Sequence, residues 1–592
     1  MSFCWIALGK HDLKVGGQYL HLRDNRTFGA FENAIADFQS VQNLINGVIP
    51  DYEIAVDPHG ALPGTPLNSP FTPPSFTRHY HYNEWSAFAE DVFKFTSRLT
   101  LNLGLRYEYF GVLHSPGAEQ ALDSNFYLGQ GMNAFQQIQN GNFASTCSQT
   151  GSLQCNFYKP SLNNFAPRFG IAYDAFGDGK TVLRAGYGVF YDRNFGNVLF
   201  NVIQNPPNYA VLFAGTDNGT APITANQNQY AALAPVSGQS YTSSARALDQ
   251  NLRTAYANVW NVNVQREIMK DYVVTLAYAG SNGIDLYSLD NINRRGSGAF
   301  VGLPGSARLN SVATNVNFRS NSGHSNYNAF EASVDSRYIK SAGLQFRSAY
   351  TWSHAIDNES STFGDSYLLT SAGAGVFGFQ DAFNPAADRG NADFDVWHRF
   401  VGSFNWDVPF ASHLQNRVLK ALLDGYTTNG VVSFRTGYPF TLFDAAPGTP
   451  SLNNGQNPIR PVLLGPAPQI GPLTPSGPGT FNYINFGNAF RSTASVNGPF
   501  IGTLGRNTFR APGLQTENIS FFRNIKITES KKLELRAEFF NIFNHANLFI
   551  VPGSNDIAGN FNSVQVQRGG TVDNISNSEQ HRNIQLAVKF LF

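Results

Sequence analysis

The segment ADRGNADFDVWHRF, residues 387–400, gathers Asp388, Arg389, Asp393, Asp395, His398 and Arg399 in one short run. Carboxylates on alternate residues suggest oxygen ligation of a hard cation, but the twelve-residue calcium-loop spacing with its closing Glu is missing. The charges are therefore read as a salt-bridged lead-in to a strand. His79 and His81 alternate with Tyr80 and Tyr82 at a loop–strand junction, which reads as an interfacial girdle rather than a pair of metal ligands. Cys147 and Cys155 lie in the polar stretch ASTCSQTGSLQCNFY. A local disulfide closing an exposed loop is favoured over free thiols, and it implies an oxidising compartment. No C-x-x-C or Cys/His spacing supports zinc, and Cys4 is left as a strand residue. G-x-S-x-G, H-E-x-x-H and P-loop motifs are all missing, so no catalytic residue, metal or cofactor is expected, and no enzymatic activity.

The remaining charges of interest sit on alternating segments. In RLTLNLGLRYEY (98–109), Leu99, Leu101, Leu103, Leu105, Tyr107 and Tyr109 alternate with Thr100, Asn102, Gly104, Arg106 and Glu108. A period of two puts these sets on opposite faces of one strand. Either the Leu face is a sandwich core, or it meets lipid and leaves Arg106 and Glu108 in a wet lumen. The same parity gives Arg184, Arg347, Glu534, Arg536 and Glu538 a polar face. There they either contact a plug or substrate, or pair with cross-strand neighbours, as charges in any polar barrel interior do.

Composition favours the barrel. Charged residues are only 14% and aromatics also 14%, with 50 Phe, 25 Tyr and 55 Gly, against about a quarter charged in ordinary globular domains. Lys plus Arg and Asp plus Glu balance at 41 each, so no net field points to nucleic acid. No run of about 18 apolar residues is long enough for a transmembrane helix, which leaves barrel strands open, since each gives a weak hydropathy signal. The N-terminal MSFCWIALGKHDLKVGGQYLHLRD reads as strand, turn at Gly9–Lys10 and strand rather than as a signal peptide. About fourteen convincing strands recur along the chain. Short turns alternate with long polar segments at 25–79, 111–164, 194–256, 285–326, 356–396 and 443–511. The last is rich in Pro and Gly and should lack regular structure for much of its length. Short turns at one end and long loops at the other are the asymmetry of outer-membrane barrels. Strand-end aromatics (Tyr107, Tyr109 and Phe110; Tyr350 and Trp352; Trp406 and Phe410) fit interfacial girdles. The closing strand alternates Ile584, Leu586, Val588, Phe590 and Phe592 with Asn583, Gln585 and Lys589. Its free edge must be sealed in lipid by the first strand of a complete barrel.

Several stretches resemble the barrel of TonB-dependent outer-membrane receptors, and most closely the Oar-like group with its carboxypeptidase-regulatory-like domain. They are GKHDLKVGGQY (9–19), SRLTLNLGLRYEY (97–109), FAPRFGIAYD (165–174), YTWSHAIDN (350–358), RGNADFDVWHRFVGSFNWDVPF (389–410), TGYPFTL (436–442), GRNTFRAPGLQTENISFFRN (505–524) and KLELRAEFFNIFNHANL (532–548). They follow the family's order and cover nearly all of residues 1–592 between loops. The resemblance implies an all-β antiparallel transmembrane barrel with long extracellular loops, partial in strand number and without its plug. Members carry a signal peptide, an N-terminal domain, a TonB box and a plug ahead of such a barrel, so the chain is expected to be the C-terminal portion of a receptor. The resemblance further implies uptake of a large or scarce solute at the cell outer membrane, driven by TonB–ExbB–ExbD through the plug. Outer-membrane lipid and lipopolysaccharide would surround it. The terminal aromatics Phe590 and Phe592 would be the signal read by the barrel assembly machinery. The alternatives are a passive channel and a scaffold whose loops bind glycans or partner cells.

Overall fold

A computed structural model describes residues 2–592 apart from 149–154, 194–195, 197–199, 217–218, 225–229, 305–306, 363–377, 410–414, 417, 420–423, 445–458, 494–500, 529–530, 560–561 and 569–580. Phe410, expected at a strand end, lies outside the described residues. Strands β1 (Ser2–Leu8), β2 (His11–Thr27), β3 (Thr77–Lys94) and β4 (Leu99–Phe110) open one large sheet. It continues with β5 (Phe165–Asp174), β6 (Thr181–Tyr191), β7 (Tyr256–Met269), β8 (Tyr272–Asn291), β9 (Ala313–Ser336) and β10 (Leu344–Asp357). The last members are β11 (His398–Asp407), β12 (Tyr426–Arg435), β13 (Leu514–Lys526), β14 (Lys532–Phe540) and β15 (Asn583–Leu591). Each pairs antiparallel with the next in sequence. Strands β1 and β15 are the margins, and among the described residues they do not pair with each other.

Local chemistry makes the short turns. Gly9, with φ of 59°, supplies the left-handed residue between β1 and β2. Between β5 and β6 the Asp174 carboxylate accepts the amides of Gly177 and Gly179, each at 2.9 Å. Gly177 has a φ of 76°, a left-handed conformation that favours glycine there.

Register fixes the two faces. Leu105 stands opposite Pro167 and Ala89, and Phe169 opposite Leu103 and Tyr187. On this face Leu103, Leu105, Phe169, Val262, Leu276, Leu586 and Val588 are exposed, which is an apolar surface on the wrong side for a soluble core. At its long-loop margin Trp85 packs against Tyr107 and Tyr109, and Tyr107 against Phe165, with ring centroids 4.8–6.0 Å apart. From Tyr107 to Leu99 is about 26 Å of strand at 3.3 Å per residue, or about 20 Å of height at a 40° tilt, which fits within the roughly 25 Å apolar band of a membrane barrel.

Several strands are much longer than the roughly 9–11 residues a bilayer requires. Strand β2 has 17 residues, β3 has 18, β8 has 20 and β9 has 24. The expected loop at 285–326 is therefore largely a projecting ribbon, whose register shifts near Gly283–Leu286 and Leu286–Ser288. A further strand, Ser243–Leu248, adds parallel to β9 there. His79 and His81 likewise fall inside β3 rather than at a junction.

Long loops also fold. Among the described residues, the segment 443–511 contains the short strands Val462–Leu463, Thr474–Gly477, Thr480–Asn485, Phe490–Arg491 and Phe509–Arg510 within otherwise irregular chain. Part of it joins Leu548–Ile550 and Ser563–Arg568 in a four-stranded sheet. Buried clusters form above the band. One gathers Ile54, Val56, Leu212, Ile223 and Leu233, and another Phe440, Leu442, Ile484, Leu504 and Val566. Each such side chain contributes about 1.5–3 kcal/mol of burial, which holds the loops ordered.

Candidate functional site

The inner face of the sheet is polar. Between β9 and β13 it forms a trough of about 520 Å³ lined by Asp335, Gln345, Arg347, Ser403, Asn405, Asn429, Asn518 and Ser520. Arg347 Nε lies 2.6 Å from Asp335 across the ladder, and the Arg347 side chain is three-quarters exposed to the interior. The other polar-face charges behave similarly. Arg106 Nε donates to Glu108 at 2.8 Å while its guanidinium reaches Ser86 Oγ, also at 2.8 Å. Arg184 donates to Gln265 on β7 at 3.1 Å. Arg536 pairs with Glu534 two residues away and lies over the Phe522 ring at 4.9 Å. Glu538 stands opposite Ser520 and Gln585 in register, and Glu534 opposite Lys589. These seven residues therefore share one face, spread over the sheet, and are mostly engaged by neighbours. Phe590 and Phe592 are on the opposite, exposed face.

At the long-loop end of β3 the loops pack against its inner side. Tyr80, on the same side of β3 as Glu84 and Ser86, is buried in a cluster with Val112, Phe157, Val202, Leu248 and Tyr287. Beside it Arg78 and Asp123, both buried, approach to 3.5 Å. Burial pushes the Asp123 carboxyl up to about 6, and Ser115 and Arg78 pull back only part of that. A folded-state value above the unfolded one means the folded loop binds the proton more tightly, so stability is gained as pH falls toward 5 and lost as it rises through about 6. Hydrogen exchange of residues 117–127, corrected for intrinsic rate, is expected to be about tenfold slower at pH 5 than at pH 7. A pH-independent protection factor would contradict this.

The acidic cluster of 387–400 meets its counter-ions here. Arg506 contacts Asp357 and lies 3.4 Å from Asp393, and its Nε donates to the Asp388 carbonyl at 2.9 Å. Arg510 pairs with Asp395, which also accepts the Ala355 amide at 2.7 Å and lies 3.2 Å from His354 Nδ1. The Arg510 guanidinium covers the Trp397 ring at 4.0 Å. Arg460 pairs with Asp388, both buried, and its Nε donates to the Leu504 carbonyl at 2.7 Å. Asn507 and Asn391 exchange side-chain-to-carbonyl bonds at 2.7 and 2.9 Å. The carboxylates are thus turned to guanidinium groups, and among the described residues no group of three or more His, Cys, Asp or Glu is arranged to hold a metal. Spacing alone could not reveal Arg460, Arg506 and Arg510 as partners, because they lie 72 to 149 positions away in the chain. Cys147 and Cys155 are joined by a disulfide at the outer loops.

A meander with a lipid-compatible outer face, a polar interior, short turns at one end and folded loops at the other is a transmembrane β-barrel of the bacterial outer membrane. The chain belongs to the outer membrane beta barrel domain family, whose pattern matches residues 3–585. Solved structures of similar fold include the outer membrane transporter YddB from Escherichia coli, with TM-score 0.45 and 9% identity over 99% of this chain and 52% of that one. The siderophore receptor PiuA from Acinetobacter baumannii gives 0.38 and 10% over 99% and 54%. The ferric-catecholate import receptor Fiu from K12 E. coli gives 0.38 and 11% over 100% and 53%. The chain spans about half the length of these structures. No curated protein matches it in sequence.

Proposed function

We propose that the chain is the barrel portion of a TonB-dependent receptor of the Oar-like kind that imports a large or scarce solute. The observation that carries this is the inward fold of the loops, with Arg78, Asp123 and Tyr80 buried on the inner side of β3. Loops packed into the mouth obstruct free diffusion and suit a gated receptor. The family resemblance of the quoted segments supports the same reading. In it, the polar-face residues Arg106, Glu108, Arg184, Arg347, Glu534, Arg536 and Glu538 meet a plug or the moving solute. TonB–ExbB–ExbD acts through that plug, and Phe590 and Phe592 are read by the assembly machinery. The solute is moved without chemical change. The folded loop surface also suits an adhesive scaffold, which is the second reading.

The test combines intact mass with planar-bilayer conductance of the native protein from detergent-extracted outer membranes. A product carrying additional mass ahead of this barrel, with no steady conductance, is expected. A steady ohmic pore would overturn the receptor reading in favour of a passive channel.

A further inference from the structure

One side-chain cluster lies outside both the trough and the loop lattice. On the outer face, β2 and β3 form a ladder in which Tyr19 stands opposite Trp85, His21 opposite Asn83 and Arg23 opposite His81. Tyr19 and Trp85 are exposed at the aromatic margin. The next two rungs rise about 7 and 13 Å along the strand. At the roughly 40° tilt of such barrels this is about 5–10 Å in height, the depth of the lipid headgroups.

The rungs are organised. His21 Nδ1 lies 2.8 Å from Asn83 Oδ1, which also accepts from Tyr19 Oη at 2.8 Å. Arg23 Nε lies 3.4 Å from His21 Nε2, and the His21 and His81 rings meet edge to face with centroids 5.5 Å apart. His114 pairs with the His81 backbone through two hydrogen bonds of 2.9 and 3.2 Å. The Glu119 carboxylate is taken by His79 at 2.7 Å. A guanidinium and two imidazoles grouped at headgroup depth on a lipid-facing surface offer their N–H donors to an anion on the lipid side.

We propose that His21, Arg23 and His81 seat the phosphate of an outer-leaflet lipid, most tightly when the histidines are protonated. The sign follows from linkage: an anion favours the protonated imidazoles, so affinity rises as pH falls below the range in which they are neutral.

Native mass spectrometry of the detergent-extracted protein, with phosphatidylglycerol, whose phosphodiester keeps one charge throughout, and phosphatidylcholine as probes, tests this. At pH 5.5 phosphatidylglycerol is expected to be retained preferentially, with the preference falling severalfold at pH 8. Arg23→Gln should lower retention about fivefold, the worth of one interfacial cation, while Arg23→Lys keeps it. Glu119→Gln, which releases His79, should hold or raise it. Heat-dependent gel mobility reports that each variant is folded. Equal retention of both lipids, or no loss in folded Arg23→Gln, would overturn the proposal. So would displacement by inorganic phosphate at the lipid's own concentration, which would mark a free-anion site, or zinc binding that excludes the lipid.

Discussion

Leu105→Arg is expected to destabilise the folded protein by about 2 kcal/mol, while Asn102→Arg costs no more than about 1 kcal/mol. Both residues lie on β4, on opposite faces. Leu105 is half exposed on the outer surface, with Ala89 and Pro167 as its register partners. An arginine there faces hydrocarbon with no acceptor across either ladder. Leu103 is central in the same row, but Asp91 stands opposite it and can receive a guanidinium, so Leu103→Arg is the milder change. Asn102 looks into the interior beside Gly170, where water and Glu90 can accommodate a cation. Urea unfolding in lipid vesicles, followed by tryptophan fluorescence, measures both. Equal tolerance at 102 and 105 would contradict a membrane-facing Leu row.

The second large effect is expected in the loops. Arg506→Met should cost about 3–5 kcal/mol of local stability, because it strands Asp357 in a buried site without its cation. Asp357 is almost fully buried, and burial holds its pKa up even with Arg506 present. The loss should therefore shrink as pH falls and the carboxyl takes a proton. Arg506→Met combined with Asp357→Leu should recover most of the stability, since removing both charges costs less than removing one. Limited proteolysis of the loops, alongside gel mobility of the barrel, separates the outcomes. Unaltered cleavage in Arg506→Met would show that the lattice does not hold the loops.

These two sites differ in how far the sequence reveals them. The Leu99–Tyr109 row is legible because one face meets lipid and the other water, so polarity alternates residue by residue. The projecting ribbon is less so. In Ala313–Ser325, Val316 and Arg319 are both buried by loop packing, and the alternation that marks a membrane strand is lost. The loop interior is hidden for a related reason, since Ile54, Leu212 and Leu233 sit in the short apolar runs IAV, YAVLFA and AALAPV, which lack the alternation of a membrane strand. Asp388, Asp393 and Asp395 were visible as a charged lead-in, but their partners follow from the fold. Charges on the polar face were placed by parity alone, and parity carries no information on what they touch.

The loop lattice also bears on the order in which the molecule assembles. Strands joined by short turns, such as β1 with β2 and β7 with β8, can zip up as local hairpins. Arg506 and Asp357 are 149 positions apart, and Asn310 reaches the Ile138 carbonyl across 172. Closing such long chains carries an entropic cost that is recovered only when both ends are already held. The loops should thus lock last, after β13 has joined the sheet, and a barrel halted before that step would display its apolar loop residues at the cell surface.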